Sequence, residues 1–151
     1  MITKTAFDKL NEQQKNLVIE ARMATKNAYA PYSKFYVGSA ALLKSGAIVT
    51  GSNQENVVFP LSLCAERVCL LYAGHAHPQD AVVALVVSCS SEKKANPIAF
   101  PCGSCRQVIA ESETRGGVLV QIIVDGGDEA IYIADSAKDL LPFGFEADFL
   151  K

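Results

Sequence analysis

The sequence has no tryptophan, no long basic run and no apolar run of membrane-spanning length, and each absence excludes a class. Its longest continuous apolar stretches, such as Ala81 to Val87, fall far short of the roughly 20 residues a transmembrane helix needs. Met1-Ile2-Thr3-Lys4-Thr5 is followed by Asp8, Asn11 and Glu12 rather than by an apolar segment. No signal peptide is read there, and a cytoplasmic location without membrane contact is expected. The densest basic pair is Lys93-Lys94, which a solvated loop accounts for, and the net charge is −2. A nucleic-acid backbone is therefore not an expected partner. Cys102-x-x-Cys105 has no tryptophan beside it, unlike a thioredoxin-type redox motif. No internal repeat or low-complexity tract interrupts the chain.

What is present fits one folded unit. The 151 residues suit a single domain, residues 1–151, and half of them are apolar, enough for a real core. Five cysteines cannot all pair within one chain. In an intracellular protein they point to metal or thiol chemistry rather than disulfides.

Periodicity predicts a helix over Leu10 to Tyr29, ended before Pro31. Phe35 to Leu43 and Ile48 to Gly51 read as a strand pair joined by the turn Lys44-Ser45-Gly46. Asn53 to Leu63 reads as loop, and Cys64 to Ala73 as a helix stopped by Gly74. Ala81 to Cys89, rich in valine, looks like a strand buried on both faces. Ser90 to Pro101 reads as loop and Gly103 to Glu113 as a helix. Val118 to Asp125 and Ala130 to Ile133 read as strands around Gly126-Gly127. Ser136 to Leu141 forms a last short helix before Pro142. Helices alternating with buried strands predict a three-layer α/β domain. Its mixed five-stranded sheet carries helices on both faces, with an antiparallel first pair and with the later, helix-separated strands parallel.

Two segments carry the chemistry, Cys64-Ala65-Glu66-Arg67 and Pro101-Cys102-Gly103-Ser104-Cys105-Arg106-Gln107. A Cys-x-x-Cys presents two sulfurs to one ion, and Cys64 supplies a third. Three protein ligands with one open position mark catalytic rather than structural zinc. Three thiolates leave the ion with a net negative charge. Helix starts at both segments, with Arg67 or Arg106 close by, offset part of it. Glu66, two residues after Cys64, is placed to act as a general acid and base without binding the metal. A lone Cys-x-x-Cys is more often structural or redox, and a lone Cys-x-Glu is close to noise. The combination, with a strand between the two, is far more specific. Cys69 and Cys89 read as small core side chains, and His75 and His77 as solvated loop residues.

Along most of its length the chain resembles the small homotetrameric cytidine deaminases. The resemblance rests on Tyr29-Ala30-Pro31-Tyr32-Ser33-Lys34-Phe35, Val37 to Leu43 and Gly51-Ser52-Asn53-Gln54-Glu55-Asn56. It continues through the two cysteine segments, with Val108, and Leu140-Leu141-Pro142. It implies a cytidine-deaminase-like fold and one zinc per chain held by Cys64, Cys102 and Cys105. It implies hydrolytic deamination of free cytidine and 2′-deoxycytidine for pyrimidine salvage, by zinc-activated water with Glu66 as proton shuttle. Asn53 and Glu55 then hold the ribose 3′-hydroxyl, and Phe35 borders the pyrimidine ring. The Ala65 N–H holds the base carbonyl, the Phe100 carbonyl faces the departing amine, and Phe145 completes a neighbouring subunit's site. Taken singly, Asn53 and Glu55 are ordinary turn residues, and Phe35 and Phe145 ordinary core aromatics. Only their register with the metal segments favours these roles.

The chain departs from that pattern at Ser52, where a cysteine is common, and at Phe59, where a tyrosine is common. Phe100 stands where a small or polar residue is usual, and eleven residues precede the first helix. Three alternatives share the zinc core: a deaminase of another small cytosine-bearing compound, such as a nucleoside antibiotic; a non-catalytic zinc-stabilised binding domain; and an editor of nucleic acid, against which the acidic charge and a first ligand that is Cys rather than His both count. Glu66 argues against the second, because a structural site has no use for a carboxylate there.

Overall fold

The chain runs β1 (Ile2–Thr5), α1 (Glu12–Ala24), β2 (Phe35–Leu43), β3 (Ile48–Ser52), α2 (Ala65–Ala76), β4 (Val82–Ser91), α3 (Gly103–Gly116), β5 (Gln121–Asp125) and β6 (Ile131–Ala134). This is a computed structural model, and it describes residues 1–93 and 96–150. Lys94, half of the basic pair, and Ala95, within the segment read as loop, lie outside the described residues, as does Lys151.

Side chains alternate along the strands between two cores. Ala41 and Leu43 of β2, Leu85 of β4, and Ile122 and Val124 of β5 enter one core with Cys69, Leu70 and Ala73 of α2 and Ile109 of α3. Ala40, Leu42, Ala84, Val86 and Ile123 enter the other, with Leu17, Val18 and Ala21 of α1. The result is the expected three layers, α1 on one face and α2 with α3 on the other. Leu17, Leu43, Leu85, Ile109, Ile122 and Ile123 are each under 2% exposed, and each such side chain stabilises the fold by roughly 1.5–3 kcal/mol.

The sheet order is β1-β6-β5-β4-β2-β3. β2 and β3 form the expected antiparallel hairpin, and β4 and β5, separated by α3, are parallel. β2 also pairs antiparallel with β4, and β5 with β6. The sheet has six strands, not five. The residues ahead of the first helix are not an inert extension, because Ile2–Thr5 pair antiparallel with β6. Two glycines set how closely the helices sit on the sheet. A Cβ on Gly38 would lie 2.1 Å from the Ala21 carbonyl oxygen of α1, and one on Gly51 2.5 Å from the Cys69 nitrogen of α2.

Several boundaries differ from expectation for local reasons. α1 begins at a capping box. The Asn11 side chain accepts from the Gln14 N–H at 2.8 Å, and the Gln14 side chain accepts from the Asn11 N–H at 3.1 Å. It ends at Ala24, where the chain tightens into a 3-10 turn over Thr25–Asn27 and the Thr25 hydroxyl donates to the Arg22 carbonyl at 2.7 Å. α2 continues past Gly74, so His75 lies on the helix rather than in a loop. Arg115 of α3 occupies the space a side chain at residue 74 would need, and donates to the Gly74 carbonyl at 3.0 Å. β4 reaches Ser91, and α3 runs to Gly116 before Gly117 turns left-handed at φ +64°. β5 starts only at Gln121, three residues later than expected.

Two buried carboxylates fasten the layers. Asp125, at the end of β5, receives two Arg22 N–H donors from α1 at 2.8 and 2.9 Å, the Ser88 hydroxyl, and the Gly127 N–H at 3.0 Å. Burial alone would raise its carboxyl, but these donors hold it below the usual range. Glu113 of α3 accepts from the Val120 and Ala137 N–H groups, both at 2.9 Å, and from the Ser136 hydroxyl at 3.0 Å. Among the described residues, no helix is long and apolar enough to cross a membrane.

Candidate metal centre and active site

α2 follows β3 and α3 follows β4, and their N-termini converge. Cys64 is the N-cap of α2, Cys102 the N-cap of α3, and Cys105 lies in the first turn of α3. The three sulfurs lie within 4.8 Å of one another. Cys64 and Cys102 sulfurs are 3.9 Å apart, and Cys102 and Cys105 sulfurs 3.5 Å. A disulfide requires about 2.05 Å, so no pair is bonded. A tetrahedral zinc with Zn–S bonds of about 2.3 Å holds its sulfurs about 3.8 Å apart. The triangle therefore fits one zinc ion, and the thiol donor set is one zinc prefers.

The surroundings favour thiolate. Cys64 and Cys102 each sit at a helix N-cap, where the positive end of the helix dipole favours a thiolate. Hydrogen bonds from Cys105 and Arg67 draw the Cys64 thiol well below its ordinary range. Cys105, which shares that hydrogen bond and is buried, holds its proton more tightly. Arg67 reaches the Cys64 sulfur at 3.8 Å while donating to the Ser62 carbonyl at 3.1 Å. Arg106 is turned elsewhere. It donates to the Pro101 carbonyl at 2.7 Å and the Leu140 carbonyl at 2.8 Å, bracing the turn that presents Cys102.

Glu66 is 4% exposed and sits in the first turn of α2. Burial holds its carboxyl above the usual range, and the Cys64 thiolate adds to the shift. Glu66, Cys64 and Cys102 line a cavity of about 360 Å³, with Phe35, Asn53 and Glu55 also in its wall. Ala65 is the first helical residue, so its N–H has no partner within the helix. Phe100 lines the same cavity. Phe145 does not. It lies 62% exposed beyond α3, and its backbone exchanges hydrogen bonds of 2.8 and 3.0 Å with the Gln107 side chain.

Asn53 and Glu55, the loop residues in the cavity wall, are held by backbone and side-chain hydrogen bonds. Asn53 continues the β2–β3 ladder with its side chain, accepting from the Val37 N–H at 2.8 Å and donating to the Phe35 carbonyl at 2.9 Å. One amide hydrogen and one lone pair are left over for a ligand. Glu55 accepts from the Tyr32 N–H at 2.9 Å, the Ser33 N–H at 3.3 Å and the Ser33 hydroxyl. The Ser33 hydrogen bond leads the lowering of its carboxyl. Lys34, at φ +55°, turns the chain from this cap into Phe35.

Sequence reading gave Ser33 no role of its own, although it lies inside a quoted motif. It also gave Cys89 only a packing role. Cys89 is 1% exposed, with its thiol pushed up to about 12 by burial, yet it lines the cavity too. Cys69 is core, as expected, and donates to the Val49 carbonyl at 3.2 Å. His75 and His77 are exposed, also as expected.

Comparison with known proteins places this geometry. Residues 11–121 match the family model described as the cytidine and deoxycytidylate deaminase zinc-binding region. The cytidine deaminase of Mycobacterium tuberculosis is 43% identical over 132 residues, covering 86% of this chain and 87% of that one. That of Halalkalibacterium halodurans is 44% identical over 95 residues, covering 63% and 68%. The crystal structure of cytidine deaminase from Burkholderia pseudomallei superposes with a TM-score of 0.74 at 31% identity, covering 90% of this chain and all of that one. The chain belongs to the zinc-binding cytidine and deoxycytidylate deaminase family and is a zinc-dependent hydrolase of the cytidine deaminase type.

Proposed function

We propose that residues 1–151 act as one cytoplasmic deaminase domain that converts free cytidine and 2′-deoxycytidine to uridine and 2′-deoxyuridine, releasing ammonia, in pyrimidine salvage. One observation carries this reading: a single cavity is lined by Glu66, by Cys64 and Cys102 of the three-thiol cluster, and by Asn53 and Glu55. That is the layout for a base to react while a sugar hydroxyl is held. Cys64, Cys102 and Cys105 would hold the zinc ion, which would supply a Lewis acid able to make a water molecule more acidic. Glu66 accepts a proton from the water that attacks C4 and passes it to ring N3; it then takes the proton of the new C4 hydroxyl and delivers it to the amine, which leaves as ammonia while the C4 carbonyl forms. The Ala65 N–H donates to the base carbonyl, and the Phe100 carbonyl accepts from the departing amine. Asn53 and Glu55 bind the ribose hydroxyl with the hydrogen-bonding capacity their backbone contacts leave free.

A panel of cytidine, 2′-deoxycytidine, cytosine and the cytidine 5′-phosphates, followed by loss of absorbance and ammonia release, tests this. The two nucleosides are expected to turn over, and cytosine to fail. Asn53→Ala and Glu55→Ala should raise KM for cytidine by roughly ten-fold or more while zinc content stays at one per chain, since a site built around a hydroxyl loses much when that bond is lost. Free cytosine used as readily as cytidine overturns the sugar assignment.

We further propose a homotetramer with shared sites. Leu71 and Tyr72 of α2 are 58% and 56% exposed, on a helix whose opposite side is core. Val57, Val58, Phe59 and Leu61, before α2, are all more than half exposed. Apolar surface of this kind calls for a partner, and closed symmetry supplies it with copies of the same chain. Light scattering after size exclusion should give four chains per particle. A fully active monomer at assay concentration contradicts the shared-site reading, including the place it gives Phe145.

A further inference from the structure

The wall of the cavity at Phe100 is held from outside the matched region of the family. Residues 96–100 lie against the β5–β6 turn and β6. Ile98 presses on Gly126 so closely that a Cβ there would sit 2.3 Å from the Ile98 side chain. The Phe100 ring meets Tyr132 edge-on, with centroids 5.5 Å apart and planes at 62°, a favourable aromatic geometry. Tyr132 sits on β6 opposite Val124 of β5 on one side and Lys4 of β1 on the other. The Lys4 ammonium lies 5.9 Å from the Tyr132 ring centroid, within cation–π range. β1 is fastened in turn, since the Met1 ammonium pairs with Asp139 at 2.5 Å. Lys4 and Tyr132 both fall outside residues 11–121.

We propose that Tyr132, braced by Lys4 of β1, is a positioning residue that fixes Phe100 and thereby the cavity wall between Ala99 and Cys102. This rests on the nucleoside deaminase reading above. Phe100 is two residues from Cys102, so this wall borders the reacting base rather than the sugar end. A ring at position 100 has more freedom than the small side chain usual there, and an edge-on partner removes that freedom. The backbone that follows Phe100 is braced separately, by Arg106 on the Pro101 carbonyl, so loosening the ring acts mainly on the fit of the bound base and hence on KM.

Tyr132→Leu is expected to raise KM for cytidine about five- to ten-fold, with kcat within about two-fold of wild type and zinc still at one per chain. Tyr132→Phe keeps the ring and should restore KM, because the contact uses the ring edge and not the hydroxyl. Lys4→Ala changes an exposed position on an edge strand, so it reads the same effect without dependence on the folding of Tyr132→Leu; its KM should rise about two-fold. A purely structural role lowers Tm and the active fraction but leaves KM per zinc-loaded chain unchanged, and that result overturns the proposal. So does a Tyr132→Phe protein as impaired as Tyr132→Leu. Wild-type turnover of cytidine is the control: if it is absent, the functional reading itself has failed. If it is present and KM is unchanged in both Tyr132→Leu and Lys4→Ala, only the positioning inference has failed.

Discussion

Glu66→Gln is expected to keep the fold and one zinc per chain while turnover falls by roughly 10²–10⁴-fold, the range for loss of a positioned general acid or base. The upper end is expected, because one carboxyl serves both the attack of water and the departure of the amine. Glutamine has nearly the same volume and fills the same space, 4% exposed in the first turn of α2, so packing gives no reason for the site to shift. What is lost is a group that can take a proton and return it. Glu66 is not one of the three clustered sulfur ligands, and the two sulfur separations of 3.9 and 3.5 Å already suit a tetrahedral zinc. Metal analysis, near-native thermal unfolding and single-turnover measurement on the same preparation separate the two functions. Turnover within about three-fold of wild type would remove Glu66 from the mechanism, whatever its place in the cavity.

The cysteine cluster was legible in the sequence because each of its halves is local. Cys64 and Glu66 are two residues apart at a helix start, and Cys102 and Cys105 are three apart at another, so spacing along the chain translates directly into geometry. The buried strands were legible for a similar reason, since apolar residues run unbroken from Val82 to Val87 in β4 and through Ile122, Ile123 and Val124 in β5. β1 was not. Ile2-Thr3-Lys4-Thr5 is short, mostly exposed and half polar, as edge strands commonly are, and only its partner β6 makes it a strand. Glu113 was missed because its three donors come from Val120, Ser136 and Ala137, elements later in the chain that periodicity cannot connect to α3. Gly74 misled for the opposite reason. It looks like a helix stop, but the space it leaves is filled by Arg115 from a different helix. Arg106 carried a plausible electrostatic role by proximity in sequence, and its side chain serves two carbonyls instead.

Cys102→Ala is expected to lose zinc, all turnover and a large part of the thermal stability together. The Cys102 side chain lies on the exposed side of the triangle, so removing its sulfur costs little in packing, unlike a change at the fully buried Cys69. Its effect must therefore pass through the metal. A ligand that binds only the native state stabilises it by about 4 kcal/mol when present at about 1,000 times its dissociation constant. For a domain of this size each 1 kcal/mol moves Tm by about 2–4 °C, so a fall on the order of 10 °C is expected when binding is lost. The same reasoning fixes the control. Chelator should lower the Tm of the wild-type protein by a similar amount and leave Cys102→Ala nearly unchanged, because the variant has no bound ion to lose. Cys69→Ala should do the reverse, keeping zinc and showing the full chelator effect on top of its own packing cost of a buried side chain. A Cys102→Ala protein that retained one zinc per chain, or whose destabilisation persisted undiminished against chelator-treated wild type, would show that Cys102 acts through the fold and not as the third sulfur of the site.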